Sequence, residues 1–135
     1  MASIFTKIIE REIPGNILYE DDHVIAFLDI APVAPGHTLV VPKNEQENIL
    51  ASSEEDLMHV MRTVRKLAPK IIEVVGAEGF NVVTNTGAAS GQTIFHTHVH
   101  IIPRRQNDGL KPWEHKDQSQ EELTDMKERI IEQLA

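Results

Sequence analysis

The sequence predicts a small α+β protein built on a mostly antiparallel sheet. Three observations carry that expectation. Short apolar runs are bounded by turn residues, and three stretches of helical periodicity each follow a serine cap. The chain's 135 residues also have room for one domain with one continuous core.

Taken in order, Ser3 caps a short amphipathic helix to about residue 12, with Ile4, Ile8 and Ile9 on one face, and Pro14-Gly15 closes it. Ile17–Glu20 and Val24–Ile30 read as two strands joined across Asp21-Asp22. The second is apolar on both faces, as expected of a strand covered on two sides or passing an apolar pocket. Two prolines in Ala31–Gly36 forbid helix, and this loop delivers His37 to a strand, Thr38–Val41, that Pro42 stops. Ser52, with Glu55 three residues on, forms a capping box for a long helix running to Gly76. Pro69 lies inside that helical pattern and predicts a kink or break. Phe80–Asn85 and Gln92–Ile102 read as antiparallel neighbours, separated by the small-residue loop Thr86–Gly91 and ended by Pro103. After a polar stretch carrying Trp113, Ser119 and Glu122 cap a last helix with Leu123, Met126, Ile130, Ile131 and Leu134 along it.

Composition excludes several classes of function. A chain that is 41% hydrophobic and 25% charged is neither disordered nor fibrous. The absence of cysteine removes disulfide scaffolds, thiolate nucleophiles and cysteine-ligated zinc. A net charge of -8 opposes broad contact with nucleic acid, so any phosphate should be met inside a pocket. No segment approaches the roughly 18–20 apolar residues that span a bilayer, and the first residues lack a secretory pattern. The expectation is a cytoplasmic protein with neither a membrane nor a nucleic-acid partner.

The unusual count is 7 histidines, three of them within five residues. Strand alternation puts His96, His98 and His100 on one face and Phe95, Thr97, Val99 and Ile101 on the other, with imidazoles about 6.6 Å apart. Neighbouring positive charge disfavours protonation of the central ring and keeps His98 neutral and nucleophilic. A solvated histidine face is the plain alternative, and the Ile- and Val-rich run around the three argues against it. Zinc chelation by histidines at i and i+2 is a second reading, although no carboxylate lies between Gly79 and Arg105. The third is nucleophilic catalysis at phosphorus. It is favoured by the loop Gly87–Gly91, through which backbone N–H groups can approach a phosphate, and by Asn85, Gln92 and Thr93 as neutral donors.

The run Gly91–Arg104, containing His96-Thr97-His98-Val99-His100, resembles the histidine triad superfamily. Ile4–Ile9, Tyr19–Asp22, Ala26–Pro32, Pro35–Pro42 and Val83–Gly87 extend the resemblance, over roughly residues 3 to 105, to its Hint branch of nucleotide-binding proteins. The resemblance implies a HIT-like fold: about five antiparallel strands, one long helix packed on them, and short N-terminal and C-terminal helices. Residues 1–135 would form one domain with a variable tail and helix from 106 onward.

The implied activity is hydrolysis of purine nucleoside 5′-phosphoramidates, AMP or GMP derivatives, without cofactor or metal. By resemblance, His98 is the nucleophile that carries the nucleotidyl group, and His37 and His96 orient the site and assist proton movement. His100 hydrogen-bonds the phosphate region and favours departure of the leaving group. Asn85, Gly91, Gln92 and Thr93 fall where the family meets the α-phosphate; Phe5, Ile8, Phe27 and Ile30 line the nucleoside pocket, and Asp29 grips the ribose hydroxyls. A structural zinc found in some relatives is not expected, because its cysteine ligands are missing. The alternatives are a dinucleoside polyphosphate hydrolase of the Fhit type and a nucleotide-binding module with vestigial hydrolysis. A homodimer paired through the long helix and an adjoining strand is also implied. His23, His59 and His115 receive no role, and His59 is expected to be solvated.

Overall fold

The computed structural model describes residues 1–135, and its elements follow from where the chain places caps, turns and apolar faces. Helix α1 (Ile4–Ile9) starts at Ser3, whose hydroxyl accepts from the Thr6 N–H. It ends earlier than periodicity suggested, with Arg11 in the left-handed region at φ 64°. Its inward residues are Phe5 and Ile8, while Ile4 is turned outward. Strands β1 (Ile17–Glu20), β2 (Val24–Leu28), β3 (Thr38–Pro42), β4 (Gly79–Val83) and β5 (Val99–Arg104) form one sheet in the order β1-β2-β3-β5-β4. Every neighbouring pair is antiparallel. Helix α2 (Glu54–Val75) is the long helix, and α3 (Gln120–Leu134) ends the chain.

The sheet has a core on each face. Val24, Ala26, Val40, Val99 and Ile101 pack against Val60, Val64 and Ala68 of α2. On the other face Ile25, Phe27, Leu39 and Val41 pack against Phe5 and Ile8 of α1. This is why β2 is apolar at every position: alternate residues serve different cores. Gly36 makes the close approach between the loop before β3 and the end of α2 possible. At φ +86°, a Cβ there would lie 2.9 Å from the Val75 side chain.

Four expectations need correction. The cap of α2 is Ser53, accepting from the Asp56 N–H; the Ser52 hydroxyl is engaged instead with the Asn48 carbonyl and the Thr97 hydroxyl. Pro69 does not break α2, which runs for 22 residues. Pro69 and Arg65, one turn before it, are both exposed, so the proline falls on the solvent side of the helix. Pro42 is the last residue of β3, paired with Val24. The largest difference concerns β5, which begins at Val99 and not at Gln92. The preceding stretch is held by the loop after β3, through the Thr97 N–H to the Gln46 carbonyl and the Gln92 amide to the Glu47 carbonyl, so it joins no ladder. The last helix has the predicted Ser119–Glu122 capping box. No helix is long and apolar enough to cross a membrane.

Ile101 is fully buried between sheet and α2. Ile101→Ala should therefore lower the unfolding free energy by about 2–5 kcal/mol, measured by urea denaturation, with little change in slope.

Candidate functional site: four histidines at the end of an apolar cleft

Strand register places Ile17, Phe27, Leu39 and His100 side by side across β1, β2, β3 and β5, on the α1 face of the sheet. His37 immediately precedes β3 and so reaches His100 on the neighbouring strand. Its Nε2 is 2.9 Å from His100 Nδ1. The His98 and His100 rings meet edge to face at 5.0 Å. His96 stands apart from this group, completely buried, with Nε2 2.8 Å from the Pro42 carbonyl and Nδ1 2.6 Å from the Ser3 hydroxyl. Phe5 lies against both His96 and His98, at 5.7 and 5.0 Å between ring centres. The row of three imidazoles expected on one strand face is thus corrected. Only His100 belongs to a strand, and the ring that joins His98 and His100 is His37.

Backbone partners determine which nitrogen of each ring carries hydrogen. A carbonyl only accepts, so His98 Nδ1, 2.6 Å from the His96 carbonyl, is a donor, and its Nε2 is left with a bare lone pair. A backbone N–H only donates, so His37 Nδ1, facing the Val33 N–H at 3.2 Å, accepts. His37 Nε2–H then donates to His100 Nδ1, which leaves the His100 hydrogen on Nε2. By the same logic His96 holds its hydrogen on Nε2, toward Pro42.

All four rings stay neutral at pH 7. Burial holds each below the usual histidine range, His100 to about 4. For His100 the His98 and His37 rings reinforce this, while Asp29 opposes it for His37, His98 and His100. The neutrality inferred from sequence holds, but its main cause is desolvation and not the neighbouring rings.

His98 and His100 close one end of a cleft of about 390 Å³. Phe5, Ile8, Phe27 and Leu39 form its apolar walls, Ile30 stands 88% exposed at its mouth, and Asp29 and Thr93 bring polar atoms. Asp29 accepts from the Ala31 N–H and has its second oxygen 3.6 Å from His37 Nε2. Five of the residues singled out from sequence lie outside the cleft lining. His37 and His96 stand behind it, and Asn85 lies beside Gly91, where a Cβ would be 3.6 Å from the Asn85 amide nitrogen. Gln92 is buried with its amide wholly engaged, accepting from the Gly87 N–H and donating to the Glu47 and Ile94 carbonyls. The loop N–H groups of Ser90, Gly91 and Gln92 are likewise satisfied within the loop, around a single 3₁₀ turn, Ala88–Ser90. The loop is therefore a braced support, and Thr93 is the predicted donor that reaches the cleft.

Sequence reading missed Ile4, Leu39, Ile94 and the Ile13-Pro14-Gly15 turn as lining residues. It also missed the Ser3 contact to His96, for which the only signal was a helix cap. His59, expected to be solvated, is half-buried, its ring stacked on that of His23 at 3.8 Å.

Asp29, His37 and His100 bring three ligand atoms within 4.8 Å of one another, and so supply the carboxylate that the sequence lacked near the triad. The arrangement does not fit a cation. A histidine ligating through Nε2 keeps its hydrogen on Nδ1, which at His37 would point at the Val33 N–H.

Neutral, hydrogen-bonded imidazoles at the end of an apolar cleft, on an antiparallel sheet backed by one long helix, define an α+β protein equipped for a ligand that is part apolar and part polar. The chain belongs to the HIT domain family, whose domain matches residues 10–107. A HIT-like protein of Saccharolobus solfataricus is 40% identical over 134 residues, covering 97% of this chain and 96% of that protein. An adenylylsulfatase of Arabidopsis thaliana is 39% identical over 107 residues, 79% of this chain and 54% of that protein. The crystal structure of a HIT family member from Bacillus subtilis superposes with a TM-score of 0.89 at 40% identity, over 100% of this chain and 99% of that one.

Because burial depresses these histidines, the unfolded chain binds more protons than the native protein from about pH 6.5 down to the native values. Their contribution to stability is complete above that range and is lost as pH falls, by up to about 1.4 kcal/mol per pH unit for each ring. Urea unfolding at pH 7, 6 and 5 should show a falling free energy, and His100→Asn should flatten the slope.

Proposed function

We propose that the protein hydrolyses purine nucleoside 5′-phosphoramidates through a nucleotidyl adduct on His98. The single observation that carries this reading is the pairing of tautomers in one cleft: a bare His98 Nε2 beside a His100 Nε2–H. The His98 lone pair attacks the α-phosphorus, and the P–N bond breaks with its electrons moving to nitrogen. His100 donates to that nitrogen and passes it a proton, which solvent replaces. Water then attacks phosphorus, the P–Nε2 bond returns its electrons to His98, and the nucleoside monophosphate departs with release of the proton. His98 Nδ1–H stays on the His96 carbonyl throughout, which stabilises positive charge on the adduct ring. Thr93 donates to phosphate oxygens, and Gly91 and Gln92 hold the loop that leads into it. Asp29 accepts from the ribose hydroxyls, and Phe5, Ile8, Phe27 and Ile30 enclose the base.

The adenylylsulfatase among the relatives supports a second reading, in which the same adduct forms with sulfate as leaving group. Adenosine 5′-phosphoramidate, adenylyl sulfate and a diadenosine polyphosphate, assayed side by side with and without chelator, separate these readings. The phosphoramidate should turn over fastest and be unaffected by chelator. Quenched samples should show a nucleotidyl group on His98 by mass spectrometry, and His98→Ala should lower kcat by about a thousandfold or more. Absence of the adduct under single turnover refutes the mechanism.

We read the protein as a homodimer, with α3 and its connecting arm contributing to the contact. No residue of α3 is buried, and its apolar side chains are 42% to 79% exposed. The arm from Lys111 to Ser119, Trp113 included, is exposed and without regular structure. The match to the Bacillus subtilis protein extends over 100% of this chain, so α3 and its arm lie within the aligned span. The open apolar face of α3 is suited to a second copy of the chain, and β4 at the sheet edge offers an adjoining surface. In light scattering Ile130→Glu should shift mass from dimer toward monomer, and in mixed light and heavy isotope dimers Lys127 should cross-link between copies.

A further inference from the structure

The His96 contact to Ser3 has a chemical direction that its geometry determines. Pro42 takes the hydrogen on His96 Nε2, so Nδ1 is a lone pair, buried with the rest of the ring. Ser3 Oγ lies 2.6 Å from it. The same oxygen accepts from the Thr6 N–H at 3.0 Å, which leaves its one hydrogen for His96. The competing acceptor, Thr6 Oγ1, is farther away at 3.4 Å, and its own hydrogen goes to Glu45 Oε1 at 2.6 Å. Glu45 Oε1 also accepts the Ser3 backbone N–H at 2.7 Å, so the carboxylate clamps the first turn of α1 from outside. On its far side, the His96 backbone carbonyl is the group that holds His98 Nδ1–H.

We propose that Ser3 is a positioning residue for the nucleophile. Its hydroxyl pins the His96 ring from the Nδ1 side, and with Pro42 on the other side this holds the His96 peptide where its carbonyl selects the His98 tautomer. Ser3 is also the cap of α1, which carries Phe5 and Ile8, so one hydroxyl joins the nucleoside wall to the reacting nitrogen. The inference rests on His98 being the nucleophile, and it adds a residue that neither alternation nor the histidine motif marks.

The test separates capping from locking. Glycine at an N-cap costs a helix only a few tenths of a kcal/mol relative to serine, whereas alanine costs more, so Ser3→Gly removes the hydroxyl with little damage to α1. Ser3→Thr keeps both functions. Imidazole ¹⁵N–¹H correlation spectra of the full-length variants read the tautomers directly, and single-turnover adduct formation from adenosine 5′-phosphoramidate reads the chemistry. Wild type should show one tautomer each for His96 and His98. Ser3→Gly and Ser3→Ala should show mixed His98 tautomers and adduct formation slowed by about tenfold or more, with the folded circular dichroism signal kept in Ser3→Gly. Ser3→Thr should restore both. An unmixed His98 spectrum in Ser3→Gly, or mixed tautomers in Ser3→Thr, overturns the proposal. A wild type that shows the fixed tautomers and forms no adduct instead refutes the nucleotidyl reading, and the spectra still decide the role of Ser3.

Discussion

The short hydrogen bond from His98 Nδ1 to the His96 carbonyl is the interaction on which the site depends. A neutral imidazole has two tautomers of similar energy, and the partner of one nitrogen determines the state of the other. Here the partners of three rings are backbone groups: the Pro42 and His96 carbonyls and the Val33 N–H. Backbone groups do not change protonation between pH 4 and 8, so they act as fixed references for the chain of donors and acceptors. Buried rings also lose most alternative partners, and the desolvation that keeps them neutral preserves the asymmetry between a bare nitrogen on His98 and a donor on His100.

The sheet can support this because its two faces do different work. The α2 face is closed by interlocking Val, Ala and Ile side chains and leaves no room for a ligand. The α1 face is covered by a six-residue helix, too short to span the strands, so an apolar groove remains between α1, β2 and β3. The groove ends where β5 begins. The residues that would otherwise extend β5 are diverted to the loop after β3, and that diversion turns His96 away from the cleft and toward Ser3.

Charge follows the same division. The chain carries a net charge of -8, and no lysine or arginine lines the cleft. An anionic ligand would therefore be met by neutral donors and imidazole N–H groups. Asp29 lies near enough to His37 to offset part of the desolvation that His37, His98 and His100 experience.

The order of the elements, the two-sided character of β2, the long helix and the grouping of His37 with His98 and His100 were all legible in the sequence. Apolar periodicity and serine caps are local signals, and a histidine motif survives any modest error in strand boundaries. What local signals could not supply were the competitors for each hydrogen bond. Ser52 and Ser53 both precede an acidic residue by three positions, and only the packed structure shows that Ser52 is taken by Asn48 and Thr97. Alternation put His96 in line with His98 and His100 because nothing local reveals that Gln46 and Glu47 capture the stretch before Val99. Gln92 looked like a free donor for the same reason. By itself the sequence determined which side chains are available and which faces are apolar. The tertiary structure decided which nitrogen of each ring is bare, because that choice belongs to backbone groups brought in from residues 33, 42 and 96.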